Sequence, residues 1–152
     1  MPVRVQTSDF DAGREIAALR VGDARVGAVS SFIGIVREVN EAALVSALTL
    51  EHYPGMTEKA LEDIVADARA RFEILDALVI HRVGELKPTD QIVLVVVTSA
   101  HRGEAFEACR FLMDYLKTKA PFWKRESTAA GDRWVETRAS DDDAAARWDT
   151  TR

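Results

Sequence analysis

The sequence predicts a single α+β domain, a mixed or antiparallel sheet with flanking helices, and three observations carry that prediction. The run IVLVVVT at residues 92–98 is apolar on both strand parities, which suits a central strand covered on both faces. Residues 57–72, and the stretch following Ala100, repeat their apolar positions at helical spacing, with charges on the opposite face. A length of 152 residues with 47% hydrophobic content is that of one domain able to bury a core.

The elements follow in order. Residues 3–6 form a short strand, and Asp9 or Asp11 caps a helix running to Leu19, with Gly22 just past its end. From Ala24 to Val36 small and apolar residues alternate around Ser30 and Ser31. Gly27 and Gly34 interrupt that strand, which points to a bend or a close backbone approach. Arg37 follows where the strand should meet solvent, either displayed for a ligand or simply an arginine at a sheet edge, and a loop runs on to Ala43. Leu44 to Tyr53 reads as a strand with Leu44, Leu48, Leu50 and His52 on one parity, turned by Pro54-Gly55. Thr57 is the expected N-cap of the helix 57–72, whose buried stripe is Ala60, Leu61, Ile64, Val65, Ala68 and Phe72. Leu78–Val83 and Ile92–Thr98 are β-branched runs joined through GELKPTDQ as a hairpin or bulged connection.

A helix starts after His101 and Arg102. Its exposed amides, with the two side chains beside them, would attract a phosphate or carboxylate; alternatively His101 caps the helix and Arg102 is solvated. Ala105, Cys109, Leu112 and Leu116 share one stripe, so Cys109 should face the core as a small hydrophobe and a poor nucleophile. Pro121 must end this helix, because it lacks an amide hydrogen and clashes with the preceding turn. Phe122, Lys124 and Glu126 then share one strand parity, and Trp123, Arg125 and Ser127 the other. AAGD turns the chain, residues 133–137 return, and Arg138 ends the hairpin. The final SDDDAAARWDTTR suggests a solvated end with a short helix, its aspartates placed at the helix start.

Four of the 20 basic residues fall between Lys117 and Arg125, in a chain of formal charge −5. Such a cluster in an acidic protein points to an anionic ligand. Lys117 and Lys124 flank Pro121 and can converge from two elements, whereas Lys119 is better read as a cation complementing the helix dipole. The lysines could act as nucleophile or base, or, still protonated, could bind a phosphate or carboxylate and stabilise developing negative charge.

Other classes find less support. A single cysteine excludes an internal disulfide and any CxxC motif. The three histidines lack paired metal-site spacing, His81 within VIHRV reads as a strand residue with a satisfied ring, and no metal or cofactor is expected. GxGxxG, GxxxxGK[ST] and GxSxG are all missing. Net acidity argues against nucleic acid, including a stacking role for Phe122 and Trp123 on RNA. No run approaches the roughly 18 apolar residues of a membrane span, and the N-terminus has no signal-peptide core, so a cytoplasmic protein is expected.

The stretches SSFIGIVRE, LTLEHYPGMTEKAL, VIHRVGEL, TSAHRGEAFEA, MDYLKTKAPFWKRE and GDRWVE carry a close resemblance to the large, catalytic subunit family of molybdopterin synthase. They cover most of residues 26–138, with 1–140 as the family domain and 141–152 as a tail. The resemblance implies an α/β-hammerhead fold and a homodimer of large subunits, with a small ubiquitin-like sulfur-carrier subunit at each end. That carrier inserts a Gly-Gly C-terminus bearing a thiocarboxylate. Two sulfur transfers then convert cyclic pyranopterin monophosphate into the dithiolene of molybdopterin. By the same resemblance, Lys117 and Lys124 are the essential lysines, and Arg37, His101 and Arg102 bind the pterin phosphate or the tail carboxylate. Lys124, Arg125 and Glu126 match a substrate-contacting stretch, Phe32 and Met113 look like pocket walls, and Arg138 looks like an arginine lent by the neighbouring subunit. Ala42 stands where many relatives have glycine, and Lys119 where they often have arginine. A sulfur-transfer enzyme whose only cysteine is buried must receive its sulfur on something else, as a thiocarboxylate partner would provide.

Overall fold

A computed structural model describes residues 2–40, 43–135 and 139–149 of the chain. The central apolar run is β7 (Gln91–Ser99), and it lies, as expected, in the interior of a four-stranded sheet. Its neighbours are β5 (Asp76–Arg82) and β2 (Ala28–Ile35), both antiparallel to it, while β1 (Val3–Gln6) adds to β5 in parallel. Both faces of this sheet are covered. The helices α2 (Met56–Arg71) and α3 (Arg102–Lys119) pack on one face over Val79, Val93, Val95 and Val97, around a fully buried Phe111. On the other face α1 (Ala12–Arg20) lays Ile16 and Leu19 against Leu78, Ile80, Leu94 and Val96. Burying each such side chain stabilises the fold by roughly 1.5–3 kcal/mol, which is why a strand apolar on both parities belongs here.

A second, antiparallel sheet follows the order β3-β4-β8-β9, formed by Val39–Asn40, Ala43–His52, Phe122–Thr128 and Gly131–Val135. The connection between β5 and β7 contributes β6 (Gly84–Leu86), which leaves the first sheet to pair with β4 of the second. A small cluster of Val36, Leu48, Leu50, Val83 and Leu86 joins the two sheets.

Local chemistry explains several departures from the expected pattern. The strand predicted from Ala24 starts only at Ala28, because Asp23 accepts from the Arg25 backbone and guanidinium and holds a turn. Gly27 does mark a close approach: a Cβ there would lie 2.3 Å from the Ala100 carbonyl oxygen. Gly34 precedes a register shift in the pairing of β2 with β7. In β4 a register shift between Val45 and Ala47 breaks the predicted parity, leaving Leu44 exposed and burying Val45.

Thr57 is not the cap of α2. That place belongs to Gly55, with φ of 84°, whose N–H donates to the Glu58 carboxylate. Thr57 sits inside the first turn, fully buried, where its hydroxyl accepts from the Tyr53 N–H and donates to the Pro121 carbonyl. It therefore ties the start of α2 to the point where α3 ends.

The chain end is not simply solvated. After α4 (Ala139–Ala146), Trp148 packs against the main core in edge contacts with Phe72 and Phe111, and its indole N–H donates to Asp114 at 2.7 Å. Ala42 and Arg138 lie outside the described residues.

Candidate active site

A cavity of about 480 Å³ opens where the end of β2, the end of α3 and the inner face of β8 meet, a volume suited to a small-molecule ligand. Three elements deliver its cations. Arg37 follows the last residues of β2, Lys117 is in the last turn of α3, and Lys124 projects from β8; all three line the cavity. Pro121 produces this convergence as expected, since α3 stops at Lys119 and β8 starts at Phe122. The shared parity of Phe122, Lys124 and Glu126 turns all three inward, and Phe32 and Ile33 of β2 supply apolar wall.

Glu126 is only 5% exposed, and protein donors engage both of its oxygens. Asn40 Nδ2 donates to Oε2 at 2.7 Å and Arg133 Nε to Oε1 at 3.0 Å, while Arg133 also donates to the Asn40 carbonyl at 3.0 Å. This carboxylate thus fastens the segment after Arg37 to the β8–β9 hairpin. A sequence reading that placed Glu126 against substrate missed Asn40 and Arg133. The only signal was that Arg133 pairs across from Glu126 in the hairpin that AAGD turns.

His81 also lines the cavity, beyond the strand role expected for it. Its ring is 3% exposed and stacks on Phe122, with centroids 3.9 Å apart and planes 18° from parallel. Burial, followed by the charges of Lys124, Lys117 and His52, pushes its pKa down to about 3, against the opposing hydrogen bond to the Arg82 carbonyl. The ring is therefore neutral throughout the physiological range.

Other expected site residues lie elsewhere in the chain. His101 and Arg102 occupy the opposite end of α3 from Lys117, about 22 Å away along the axis at 1.5 Å per residue. They do not line the cavity of their own chain. His101 is the N-cap residue of α3 and Arg102 is exposed, as the alternative reading had them, although the His101 side chain itself makes no capping hydrogen bond. Met113 packs in the main core, one helical turn before Lys117. Arg125 faces the other side of β8, 3.7 Å from Asp132 and 6.0 Å from the Trp134 ring centre, because strand neighbours point to opposite faces. Lys119 leans over the Tyr115 ring at 5.1 Å, in keeping with a structural role. Cys109 is buried; desolvation pushes its thiol pKa up, partly offset by a hydrogen bond with Ser30. Among the described residues no group of three or more His, Cys, Asp or Glu side chains could hold a metal ion. No described helix is long and apolar enough to cross a membrane.

The profile of the family described as MoaE protein matches residues 5–119, from β1 to the end of α3. The chain belongs to the MoaE family. A MoaE relative from Ralstonia nicotianae, named molybdopterin synthase catalytic subunit, is 64% identical over 146 residues, covering 96% of this chain and 83% of the relative. That alignment extends beyond the profile across most of the chain. Among solved structures, the molybdopterin biosynthesis MoaE protein from Burkholderia ambifaria is 53% identical and superposes with a TM-score of 0.83, covering 97% of both chains. The MoaE fold persists at 19% identity in a chain from the Helicobacter pylori complex of subunits 1 and 2 of molybdopterin-converting factor. There the TM-score is 0.71, with 91% of this chain and 92% of that one covered.

Proposed function

We propose that this chain is the catalytic subunit of a molybdopterin synthase. It transfers sulfur from the C-terminal thiocarboxylate of a small ubiquitin-like carrier to cyclic pyranopterin monophosphate, forming the dithiolene of molybdopterin. The observation that carries this reading is the convergence of Arg37, Lys117 and Lys124 on one cavity, in a MoaE chain whose relative is named for that activity. A phosphorylated pterin is anionic. The carrier tail arrives as a thiocarboxylate and departs as a carboxylate, so a site engaging both needs fixed cations at every stage. Lys117 and Lys124 hold the charge that develops as sulfur leaves the tail, and Arg37 binds the phosphate or the tail. The test is to mix the protein with thiocarboxylated carrier and the cyclic pterin and to detect dithiolene by mass.

His101 and Arg102 bind substrate only if they come from a second copy, given their distance from Lys117. Arg138 is assigned to a neighbour's site in the same way. This reading requires a homodimer, and the 57% exposed Trp134 on β9 suits a surface that a partner covers. Light scattering is expected to give the mass of a dimer, and a monomer at micromolar concentration would count against the shared site.

The sulfur rides on the carrier and not on Cys109. That thiol is 6% exposed within the main core, and desolvation disfavours its thiolate. Cys109→Ala should keep its turnover with only a modest packing loss. An inactive but folded variant, or a persulfide on Cys109 during turnover, would show that the protein relays sulfur itself.

A second reading, a non-catalytic module holding a phosphorylated small molecule or a partner's C-terminal carboxylate, draws on the same cations. Under it Lys117→Ala would weaken binding by the worth of one charge and have no turnover to lose.

A further inference from the structure

Among the described residues Thr89 is the only non-glycine residue with a positive φ, 79°. Its side chain branches at Cβ, which makes that conformation a true outlier. The bonds around it show why it is reached. Asp90 N–H donates to the Lys87 carbonyl at 2.9 Å and closes a four-residue turn with Pro88 and Thr89 at its centre. The Asp90 carboxylate in turn accepts from the Lys87 N–H at 2.9 Å. Proline fixes a negative φ, and a negative φ followed by a positive one is the pattern of a type II turn, whose third position normally takes glycine or asparagine.

A type I turn would suit threonine better and would close the same bond between Lys87 and Asp90. The two types differ by about half a turn of the central peptide, here the one between Pro88 and Thr89. In its present orientation the Thr89 N–H donates to the Val36 carbonyl at 2.9 Å, while Val36 N–H donates to the Asp90 carbonyl, also at 2.9 Å. Flipping the peptide would turn the Thr89 donor away. The Thr89 side chain is exposed, so its burial does little to offset the strain. What the conformation secures is the grip on Val36.

Val36 is the residue before Arg37. On the far side the Glu38 carbonyl accepts from the Val45 N–H at 2.7 Å. Arg37 is therefore held through the backbone of both neighbours, one tied to the turn and the other to β4, although its side chain is exposed and lines the cavity. A long exposed side chain loses rotamer freedom when it binds an anion, and a fixed base lessens what has to be ordered.

We propose that Thr89 is a positioning residue for Arg37: its strained backbone keeps the N–H on the Val36 carbonyl, and the turn thereby sets the point from which the guanidinium enters the cavity. The inference rests on Arg37 being a working cation of the site, as proposed above.

Two substitutions at one position test it. Thr89→Gly keeps the N–H and relieves the strain, whereas Thr89→Pro has no N–H and cannot take a positive φ. Thr89→Gly should melt about 2 °C higher than wild type and form dithiolene within about twofold of its rate. Thr89→Pro should lower kcat/KM about tenfold, the worth of one hydrogen bond, and the Val36 amide should exchange about tenfold faster. In an Arg37→Ala background the same proline should cost less than about twofold, because the residue it positions is gone. A merely structural turn would slow both backgrounds alike.

Equal slowing in the two backgrounds, a Thr89→Gly protein as slow as Thr89→Pro, or unchanged Val36 exchange in Thr89→Pro would overturn the assignment. So would an Arg37→Ala protein as fast as wild type, a result that leaves the sulfur-transfer reading standing. If wild type forms no dithiolene, that reading fails, and the backbone order of Arg37 decides the role of the turn. Lower order in Thr89→Pro but not in Thr89→Gly supports the grip, and unchanged order in both rules it out. Should Thr89→Pro not fold, replacing the Thr89 amide by an ester removes the N–H alone, and the same comparisons decide.

Discussion

Lys117→Ala and Lys124→Ala proteins are expected to fold normally and to lose dithiolene formation by roughly a hundredfold or more, the usual consequence of removing one transition-state contact from a water-poor site. Neither side chain belongs to a core cluster: Lys117 is exposed in the last turn of α3, and Lys124 is half-buried in the cavity wall. Melting temperatures should therefore stay close to wild type while kcat collapses. If either variant kept near-normal turnover with thiocarboxylated carrier, its place in the chemistry would be lost. Comparing the two by KM and kcat also tells binding from catalysis, since a cation that only holds ground-state phosphate raises KM and spares kcat.

Glu126→Ala should act through stability first. The change removes the carboxylate that accepts from both Arg133 and Asn40, in a place where it is almost fully buried. Arg133 is half-exposed and water can resolvate it, so the expected cost is about 2 kcal/mol, below the range for a wholly buried pair. A urea midpoint within experimental error of wild type would contradict the tether. Turnover should fall as well, because Arg37 lies between the fixed end of β2 and the segment that Glu126 anchors.

The fold was readable wherever one residue's chemistry decides the backbone. Pro121 announced the end of α3, the two-sided apolarity of residues 92–98 announced a central strand, and Asp11 was among the two caps expected for α1. Elements set by tertiary contact were less so. The register shift in β4 exchanges Leu44 for Val45, and no periodicity in the sequence marks it. Thr57 had the right residue type for a cap but was drawn into the first turn by its bond to Pro121, 64 positions away. Trp148 looked like part of a polar tail and is held by Asp114, Phe72 and Phe111, all distant in sequence.

The site divides along the same line. Lys117, Lys124 and Arg37 could be placed at one site because element ends and strand parity locate them, whereas Phe32 was indicated only by the family resemblance. His101 and Arg102 also end an element, but it is the other end of the same helix, and sequence proximity to a junction carries no information about which junction. His81 was passed over because its ring looked satisfied, which its hydrogen bond to the Arg82 carbonyl bears out, and nothing in the sequence marks that the same ring lines the cavity.

The two lysines do not stand on equally firm ground. Lys117 rises from a helix seated on the large cluster around Phe111, whereas the sheet carrying Lys124 meets the rest of the protein through the small cluster of Val36, Leu48, Leu50, Val83 and Leu86 and through Phe122. Local opening free energies follow the apolar contact that must be broken. The amides of the second sheet are accordingly expected to exchange with solvent ahead of those in β7, an order that hydrogen exchange measures directly. An opening of that sheet would carry Lys124 and Glu126 away while Lys117 stayed in place, so the site would lose its function before the molecule lost its fold.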